Sequence, residues 1–402
     1  MKLIAKYSYL KFFMLSAAMC GTGCGSSSND IGHVSPPITA VELSETGYGE
    51  ATDGQLQQKL EAIRKAYTVP AIGAMIVKGD TILEMGVSGL RQADQSIAVT
   101  LNDRWHIGSL TKSMTATVAM KLVEQGVITL DSTILDVFPT LTGQIKFQYE
   151  TITLGQLLSH TGGLIRELPS FREQRWFIND SSLTEQRRQW TIEMLNTESN
   201  IEIGTHSYSN AGYVIAGHML EAVTNMSWED LMRQSLFEPL QMNNTSFGEP
   251  DIDGTLEQPR GHIFQNNRWE NRLFSQGAVN PPVMAPAAYV GLDMTSMANY
   301  LIAQLSGARG GDNVIHASSY QTLHSPVDQG YAMGWYEMQR DFTTSKLLYH
   351  NGTNGFWTAQ MWLIPDEDIA LFAVSNAGGE AAADATNEAL VALLTRYGLL
   401  AD

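Results

Sequence analysis

The chain has 402 residues, of which 44% are hydrophobic, and a formal net charge of −17 at pH 7. This length is ample for a buried core and indicates two or more domains. An acidic chain without clusters of Lys and Arg is not typical of a nucleic-acid binder, because phosphate recognition needs a basic surface. Nucleic acid is therefore excluded as an expected partner.

Residues 1–24 are predicted to form an export signal. Three lysines precede a short apolar run, FFMLSAAM, and no acidic residue occurs before Asp30. The run is too short to span a membrane, but it fits the core of a signal peptide. The segment CGTGCGSSSND resembles a bacterial lipoprotein signal, and small residues before Cys24 favour that residue over Cys20 as the lipidated one.

We accordingly expect a periplasmic lipoprotein whose membrane contact is the lipid anchor alone. Neither cysteine has a leucine three residues upstream, so plain secretion stays open as the alternative. Residues 25–50 are rich in Ser, Gly, Pro and Thr without an apolar period, and they are predicted to form a flexible tether.

The folded unit is predicted to span residues 51–402. It begins with an amphipathic helix that ends before Pro70, followed by two strands around the turn KGD. Helical periodicity then dominates from Ser109 to about residue 290. Near the end of the chain, the strand-like runs KLLYHNG, GFWTAQMWLIP and DIALFAVSN precede a final helix.

This order of strands, helices and strands predicts an α+β fold. The first hairpin and the last three strands are expected to share one antiparallel sheet, flanked by the terminal helices. One α/β lobe would comprise residues 51–108 and 291–402, and a mostly helical lobe would comprise residues 109–290. A functional site is expected in the crevice between such lobes.

Ser109 and Lys112 lie three residues apart at the start of a predicted helix, where residues i and i+3 share a face. A serine hydroxyl needs an adjacent base to act as a nucleophile, and a lysine can serve when burial lowers its pKa. The pair alone is weak support, because a Ser at a helix start is usually a cap. Two further segments strengthen the interpretation, namely YSN at 208–210 and HNG at 350–352.

These three segments, in this order, resemble the motifs of the penicillin-recognising serine hydrolases, which include class C beta-lactamases, DD-carboxypeptidases and related esterases. RWHIGSLTK, ITLGQLLSHTGGL and YAMGW are also similar to segments of that family, and the resemblance covers roughly residues 55 to 395. It implies the beta-lactamase/transpeptidase-like fold. It implies no metal and no organic cofactor, and the histidines lack the spacing of a zinc site.

The resemblance also implies a role for each motif residue. Ser109 is expected to be the nucleophile that forms an acyl-enzyme, and Lys112 is expected to maintain its proton network. Tyr208 is expected to be the general base and later the acid, either as a phenolate stabilised by cations or through a proton relay. Asn210 would hold Lys112 and bind a substrate carbonyl.

The third motif departs from the Lys-Thr-Gly that is usual in beta-lactamases, since this chain has His350, Asn351 and Gly352 there. A His is fully charged only at lower pH, so capture of a substrate carboxylate is expected to be weaker. Asn351 retains hydrogen-bonding capacity, and Gly352 lets the substrate approach the strand. The N–H groups of Ser109 and Thr353 are expected to form an oxyanion hole.

The expected function is therefore that of an exported serine hydrolase acting on esters or on D-amino-acid amides and peptides. Two alternatives stay open. One is a class C-type beta-lactamase, for which beta-lactams would be the substrates. The other is a catalytically silent protein of the same fold that binds peptidoglycan fragments. His160, in LLSHTGGL, is expected to hold the loop after a helix rather than to act in catalysis.

Overall fold

The computed structural model describes residues 47–49, 53–171, 173–177, 180–251, 253–271, 280–340 and 343–400. The predicted signal segment with Cys24 and the predicted tether up to residue 46 lie outside the described residues. Within the described part of the chain, no helix is both long enough and apolar enough to cross a lipid bilayer.

The strands are β1 (Gly47–Gly49), β2 (Ala71–Lys78), β3 (Thr81–Gly89), β4 (Trp105–His106), β5 (Thr245–Phe247), β6 (His262–Gln265), β7 (Arg268–Asn271), β8 (Val290–Leu292), β9 (Tyr336–Arg340), β10 (Thr343–Thr353), β11 (Thr358–Ile364) and β12 (Ile369–Ser375). The α-helices are α1 (Gln55–Ala66), α2 (Thr111–Glu124), α3 (Ile134–Val137), α4 (Leu154–Leu158), α5 (Leu183–Leu195), α6 (Asn210–Thr224), α7 (Trp228–Met232), α8 (Met294–Ala308), α9 (Ala317–Leu323) and α10 (Glu380–Arg396).

Seven strands form the main sheet in the order β1–β3–β2–β12–β11–β10–β9, and every neighbouring pair is antiparallel. The prediction that the first hairpin and the last three strands share one sheet is confirmed. The two edge strands were not predicted. β1 lies within the stretch assigned to the tether, and β9 is a short strand that pairs only with β10.

Helices α1 and α10 pack on one face of this sheet, as expected. Leu56, Leu60 and Ile63 repeat at helical spacing along α1 and are buried against the sheet together with Leu390 and Leu393 of α10. Because side chains alternate along a strand, β2 supplies residues to both faces. It is therefore buried on both sides over most of its length.

The segment between β3 and β9 forms the larger core on the other face. This segment is mostly helical and also contains a three-stranded sheet, in the order β4–β8–β5, and the β6–β7 hairpin. The α+β architecture and the mostly helical second lobe are thus confirmed. The largest buried aromatic side chains are Trp105, Trp176, Trp190, Trp228, Trp335 and Trp357.

The turn that precedes α2 touches the end of β10 backbone to backbone. Gly108 has the left-handed φ of 53°, and a Cβ there would lie 2.6 Å from Thr353 N. A Cβ on Gly352 would lie 2.1 Å from the Ile107 carbonyl oxygen. Only residues without a side chain allow this approach, which places the start of α2 against the main sheet.

Candidate active site

Ser109 and Lys112 meet at the start of α2. Ser109 lies in a short 3-10 turn, Gly108–Leu110, immediately before the helix, and Lys112 lies in the first helical turn. Lys112 Nζ is 3.2 Å from Ser109 Oγ and is fully buried. It also donates to Asn210 Oδ1 at 2.8 Å and to the Ala287 carbonyl at 2.9 Å. These two acceptors fix the amine beside the hydroxyl.

Tyr208 lies directly before α6, close to this pair. The centroid of its ring is 4.8 Å from Lys112 Nζ, and Ser109 is near enough to its hydroxyl to lower the pKa of the phenol. Ser209 caps α6, because its hydroxyl accepts the Gly212 N–H and donates to the Ile165 carbonyl. This cap fixes where the helix begins, so Tyr208 is held next to the N-terminus of α6.

His160 supports the backbone on both sides of Tyr208. Its carbonyl accepts the Ser207 N–H at 2.8 Å, and its Nδ1 accepts the Ser209 N–H at 3.2 Å. Its ring lies 4.3 Å from the Tyr208 ring, centroid to centroid. The expectation that His160 holds a loop is therefore met, and the loop it holds includes the segment that carries Tyr208.

Asn210, the first residue of α6, links Lys112 to a carboxylate that the sequence analysis did not identify. Its Oδ1 accepts from Lys112, and its Nδ2 donates to Glu167 Oε2 at 2.8 Å. Arg166 lies beside Glu167, with Nε 3.6 Å from Oε2, and its guanidinium carbon is 5.0 Å from the centroid of the Tyr208 ring. Both residues follow the quoted segment ITLGQLLSHTGGL after one intervening residue, Ile165, but an Arg-Glu pair matches no catalytic spacing and so was not identified from the sequence.

Burial moves the pKa values of Lys112 and Tyr208 in opposite directions. Desolvation lowers the pKa of Lys112 well below its ordinary value, the charge of Arg166 adds to this effect, and Glu167 opposes it. Desolvation raises the pKa of Tyr208 to about 12, against the lowering effects of the neighbouring Ser109 and Arg166. Burial thus shifts each side chain towards its neutral form, and a pKa of about 12 keeps the Tyr208 phenol protonated near pH 7.

The end of β10 brings the third motif to the same place. His350 is buried, its Nδ1 lies 2.7 Å from the Asn351 carbonyl oxygen, and its ring is 6.3 Å from that of Tyr208. Burial and the charge of Lys112 lower the pKa of His350 to about 3. The imidazole is neutral at physiological pH, which agrees with the expected weakness of carboxylate capture at this position.

Gly352 and Thr353 place a second backbone amide beside the one of Ser109. A Cβ on Gly352 would lie 3.0 Å from Ser109 N, and one on Gly108 would lie 2.6 Å from Thr353 N. The N–H groups of Ser109 and Thr353 thus lie where the start of α2 meets the end of β10, and a pair of backbone N–H groups can stabilise an oxyanion. The side-chain amide oxygen of Asn351 is buried without a hydrogen-bond partner among the described residues. The hydrogen bonding expected of Asn351 is therefore not seen for this oxygen.

The structure thus brings all the predicted site residues within the described chain to one place, and Cys24 alone lies outside it. In that described part, no group of three or more His, Cys, Asp or Glu side chains is arranged to hold a metal ion.

Comparisons with known proteins show the family and the fold. A family model described as Beta-lactamase matches residues 56–396. Penicillin-binding protein 4 of Amycolatopsis lactamdurans is 30% identical over 197 residues, which cover 47% of this chain and 48% of that protein. The chain spans about half to three fifths of the length of the curated relatives it matches.

Solved structures of the same fold come from diverse sources. The octameric penicillin-binding protein homologue from Pyrococcus abyssi has a TM-score of 0.70 and 24% identity, covering 86% of this chain and 78% of that chain. The class C beta lactamase from Rhodobacter sphaeroides has a TM-score of 0.65 and 18% identity, covering 85% of this chain and 99% of that chain. At these identities, the similarity concerns the fold.

Proposed function

The chain belongs to the beta-lactamase family, and from this premise we propose that it is a serine hydrolase that works through an acyl-enzyme on Ser109. The observation that carries the proposal is the contact between Ser109 Oγ and Lys112 Nζ at 3.2 Å. A buried amine with a lowered pKa can accept a proton, and it lies next to a hydroxyl that must lose one.

The proposed first step is attack of Ser109 Oγ on a substrate carbonyl carbon. The Ser109 proton passes to the pair formed by Tyr208 and Lys112, and the carbonyl oxygen becomes an oxyanion between the N–H groups of Ser109 and Thr353. As the oxyanion collapses, the bond to the leaving group breaks, and Tyr208 donates the proton to the departing atom. Water then attacks the acyl carbon and gives a proton to the same pair, which forms a second oxyanion. The bond between that carbon and Ser109 Oγ breaks, Oγ takes the proton back, and the carboxylic acid leaves.

We further propose that the substrates are esters or D-amino-acid amides and peptides rather than beta-lactams. A neutral His350 supports this preference, because it cannot supply the positive charge that the usual lysine offers to a substrate carboxylate. Hydrolysis of a chromogenic cephalosporin at a rate comparable to that of simple esters would instead favour a class C-type beta-lactamase.

The test is a panel of esters, D-amino-acid amides and beta-lactams, together with a serine-directed phosphonate probe. We expect Ser109→Ala to lose turnover and labelling. Ser88→Ala is the matched control, because Ser88 lies on β3, four strands away from β10 in the main sheet. Turnover by Ser109→Ala near the wild-type rate would reject Ser109 as the nucleophile. A wild-type protein that the probe leaves unlabelled would favour the silent binding protein.

We also propose, from the sequence, that the protein is a periplasmic lipoprotein acylated at Cys24. The support is the cationic, apolar and small-residue order of the first 24 residues. Intact-mass analysis of membrane-extracted protein should show the acyl mass in the wild type and its absence in Cys24→Ala, with Cys20→Ala as the control.

A further inference from the structure

We propose that Glu249 is a positioning residue of the oxyanion hole, because it holds the turn that begins with Thr353. This inference rests on the proposed function, since it assumes that an oxyanion forms between the N–H groups of Ser109 and Thr353. Glu249 lies just beyond β5, in the second lobe and outside the three sequence motifs. It would therefore act on the reaction through Thr353, without contacting the substrate.

The turn joins β10 to β11, and the proposed oxyanion donor is its first residue. Thr353 ends β10 and pairs with Thr358 at the start of β11. Between them, the Asn354 amide oxygen accepts the N–H of Phe356 at 3.0 Å and that of Trp357 at 3.1 Å. The side chain of Asn354 therefore sets the path of the backbone immediately after Thr353.

Glu249 contacts two side chains of this turn. Its Oε2 accepts from Trp357 Nε1 at 3.1 Å, and its Oε1 accepts from Asn354 Nδ2 at 3.4 Å. All three residues are buried. A Cβ on Gly261 would lie 2.4 Å from Trp357 Nε1, so the indole has little free space on that side. One carboxyl group thus fixes the orientation of both side chains.

The Ser109 side of the oxyanion hole packs near the same indole. His106 Nδ1 accepts the Gly108 N–H at 3.2 Å, directly before Ser109. The centroid of the imidazole lies 6.5 Å from that of the Trp357 ring. Burial lowers the pKa of His106 to about 4, so the ring is neutral near pH 7 and Nδ1 can accept. Trp357 therefore connects the Glu249 carboxyl group with the side of the hole that carries Ser109.

The protonation state of Glu249 suits this role. Burial raises its pKa to about 8, and the charge of Asp251 adds to the rise. At pH 6 the group is therefore a neutral acid, and it places no negative charge near the developing oxyanion. A glutamine has the same shape and keeps an acceptor oxygen for the indole N–H, so it should replace the acid, whereas a leucine should not.

The test is steady-state hydrolysis of 4-nitrophenyl butyrate at pH 6 by the wild type, Glu249→Gln and Glu249→Leu. We expect Glu249→Leu to lower kcat by roughly tenfold to a hundredfold, with KM changed by no more than about threefold, because an oxyanion donor acts in the transition state. Glu249→Gln should stay within about threefold of the wild type in both parameters, since it keeps the acceptor.

Glu84→Leu is the matched control, because Glu84 is a buried glutamate on β3 that bonds to Arg396 and Tyr397 away from the site. It should leave kcat within about threefold of the wild type, because a distant site acts independently. A kcat of Glu249→Leu near the wild-type value would overturn the proposal. Equal losses in Glu249→Leu and Glu84→Leu would also overturn it, because the loss of any buried carboxyl group would then have the same effect.

Trp357→Phe tests the same contact from the other partner, and it applies even if Glu249→Leu does not fold. The substitution removes the Nε1–H and keeps an aromatic ring. We expect kcat to fall by roughly tenfold, and the double variant with Glu249→Leu to be no slower than the slower single variant. An unchanged kcat in Trp357→Phe, or losses that multiply in the double variant, would overturn the proposal.

Hydrogen exchange separates this proposal from the proposed function. Exchange of the Phe356 and Trp357 amides is measured in the Ser109→Ala protein, with and without Glu249→Leu. We expect faster exchange with Glu249→Leu, because the side chain of Asn354 then loses one of its bonds. Unchanged exchange would reject Glu249 as the residue that holds the turn. Turnover by Ser109→Ala near the wild-type rate would reject the proposed function, and the exchange comparison would still support or reject the role of Glu249 in the turn.

Discussion

At the scale of single residues, burial disfavours the charged forms of both Lys112 and Tyr208, which lie side by side. An ammonium with a phenolate and an amine with a phenol contain the same number of protons, so the pair can exchange one form for the other without any external acid or base. Burial raises the pKa of Tyr208 to about 12 and lowers that of Lys112, so both shifts act in the direction of the neutral pair. Of the two routes considered from the sequence, the site therefore favours the proton relay.

Replacing Tyr208 tests this relay. We expect Tyr208→Phe to lower kcat by about 10² to 10⁴, with little change in KM, because the ring remains and only the proton-transfer group is lost. Steady-state kinetics with an ester provides the measurement. Tyr397→Phe is the control, since Tyr397 follows α10 and bonds to Leu83 and Glu84 away from the site. Activity within a few fold of the wild type in Tyr208→Phe would assign the proton transfer to Lys112 alone.

At the scale of elements, the turn after β10 keeps Thr353 in place. The Asn354 amide oxygen accepts the N–H groups of Phe356 and Trp357, which closes the turn. Glu249, just beyond β5, accepts from Trp357 Nε1 at 3.1 Å and from Asn354 Nδ2 at 3.4 Å. A buried carboxyl group from the second lobe therefore holds the turn that follows the proposed oxyanion-hole residue.

The stability contributed by Glu249 should depend on pH. Burial raises the pKa of Glu249 from 4.5 to about 8, and the charge of Asp251 adds to this rise, while the bonds from Trp357 and Asn354 oppose it. The folded state holds a proton that the unfolded state has lost between these values, so the stabilisation is complete below about pH 4.5 and is lost as the pH rises through about 8.

Glu249→Gln should remove this dependence, because an amide does not titrate in that range. Relative to the variant, the wild type should lose on the order of a few kcal/mol of unfolding free energy between about pH 5 and pH 8.5. Denaturant unfolding at both pH values measures the difference. Glu388→Gln, at a partly exposed site paired with Lys59, should give a curve parallel to the wild type. A parallel curve for Glu249→Gln would contradict the prediction.

At the scale of the whole molecule, a buried ion-pair cluster joins three helices of the second lobe. Arg187 on α5 contacts Glu221 on α6 and Glu229 on α7, and the side chains of Arg187 and Glu221 are fully buried. Removing one partner from such a cluster leaves an uncompensated charge in the core. The cluster therefore fixes how the helices beside Tyr208 and Asn210 pack.

We expect Arg187→Met to lower the free energy of unfolding by about 3–5 kcal/mol. The neighbouring Arg188 forms an exposed pair with Glu185, so Arg188→Met should cost less than about 1 kcal/mol. Denaturant titrations of both variants provide the comparison. Equal stabilities of the two variants would contradict a structural role for the buried cluster.

Much of this molecule could be predicted from local patterns in the chain. The periodicities of two and about 3.6 residues distinguish strands from helices, because they reflect which side of each element is buried. The spacing of Ser109 and Lys112 places both on one side of a helix start for the same reason. Tyr208, Asn210 and residues 350–353 were identified by their resemblance to family motifs, and local spacing alone would not have linked them.

The remaining features arise from contacts between segments that are distant in the chain. Arg166 and Glu167 acquire their place through bonds to the start of α6, and β9 is defined by its pairing with β10. The neutral state of His350 and the opposite shifts of Lys112 and Tyr208 follow from burial. A sequence specifies which groups can ionise, whereas their protonation depends on the solvent and charges that surround them after folding.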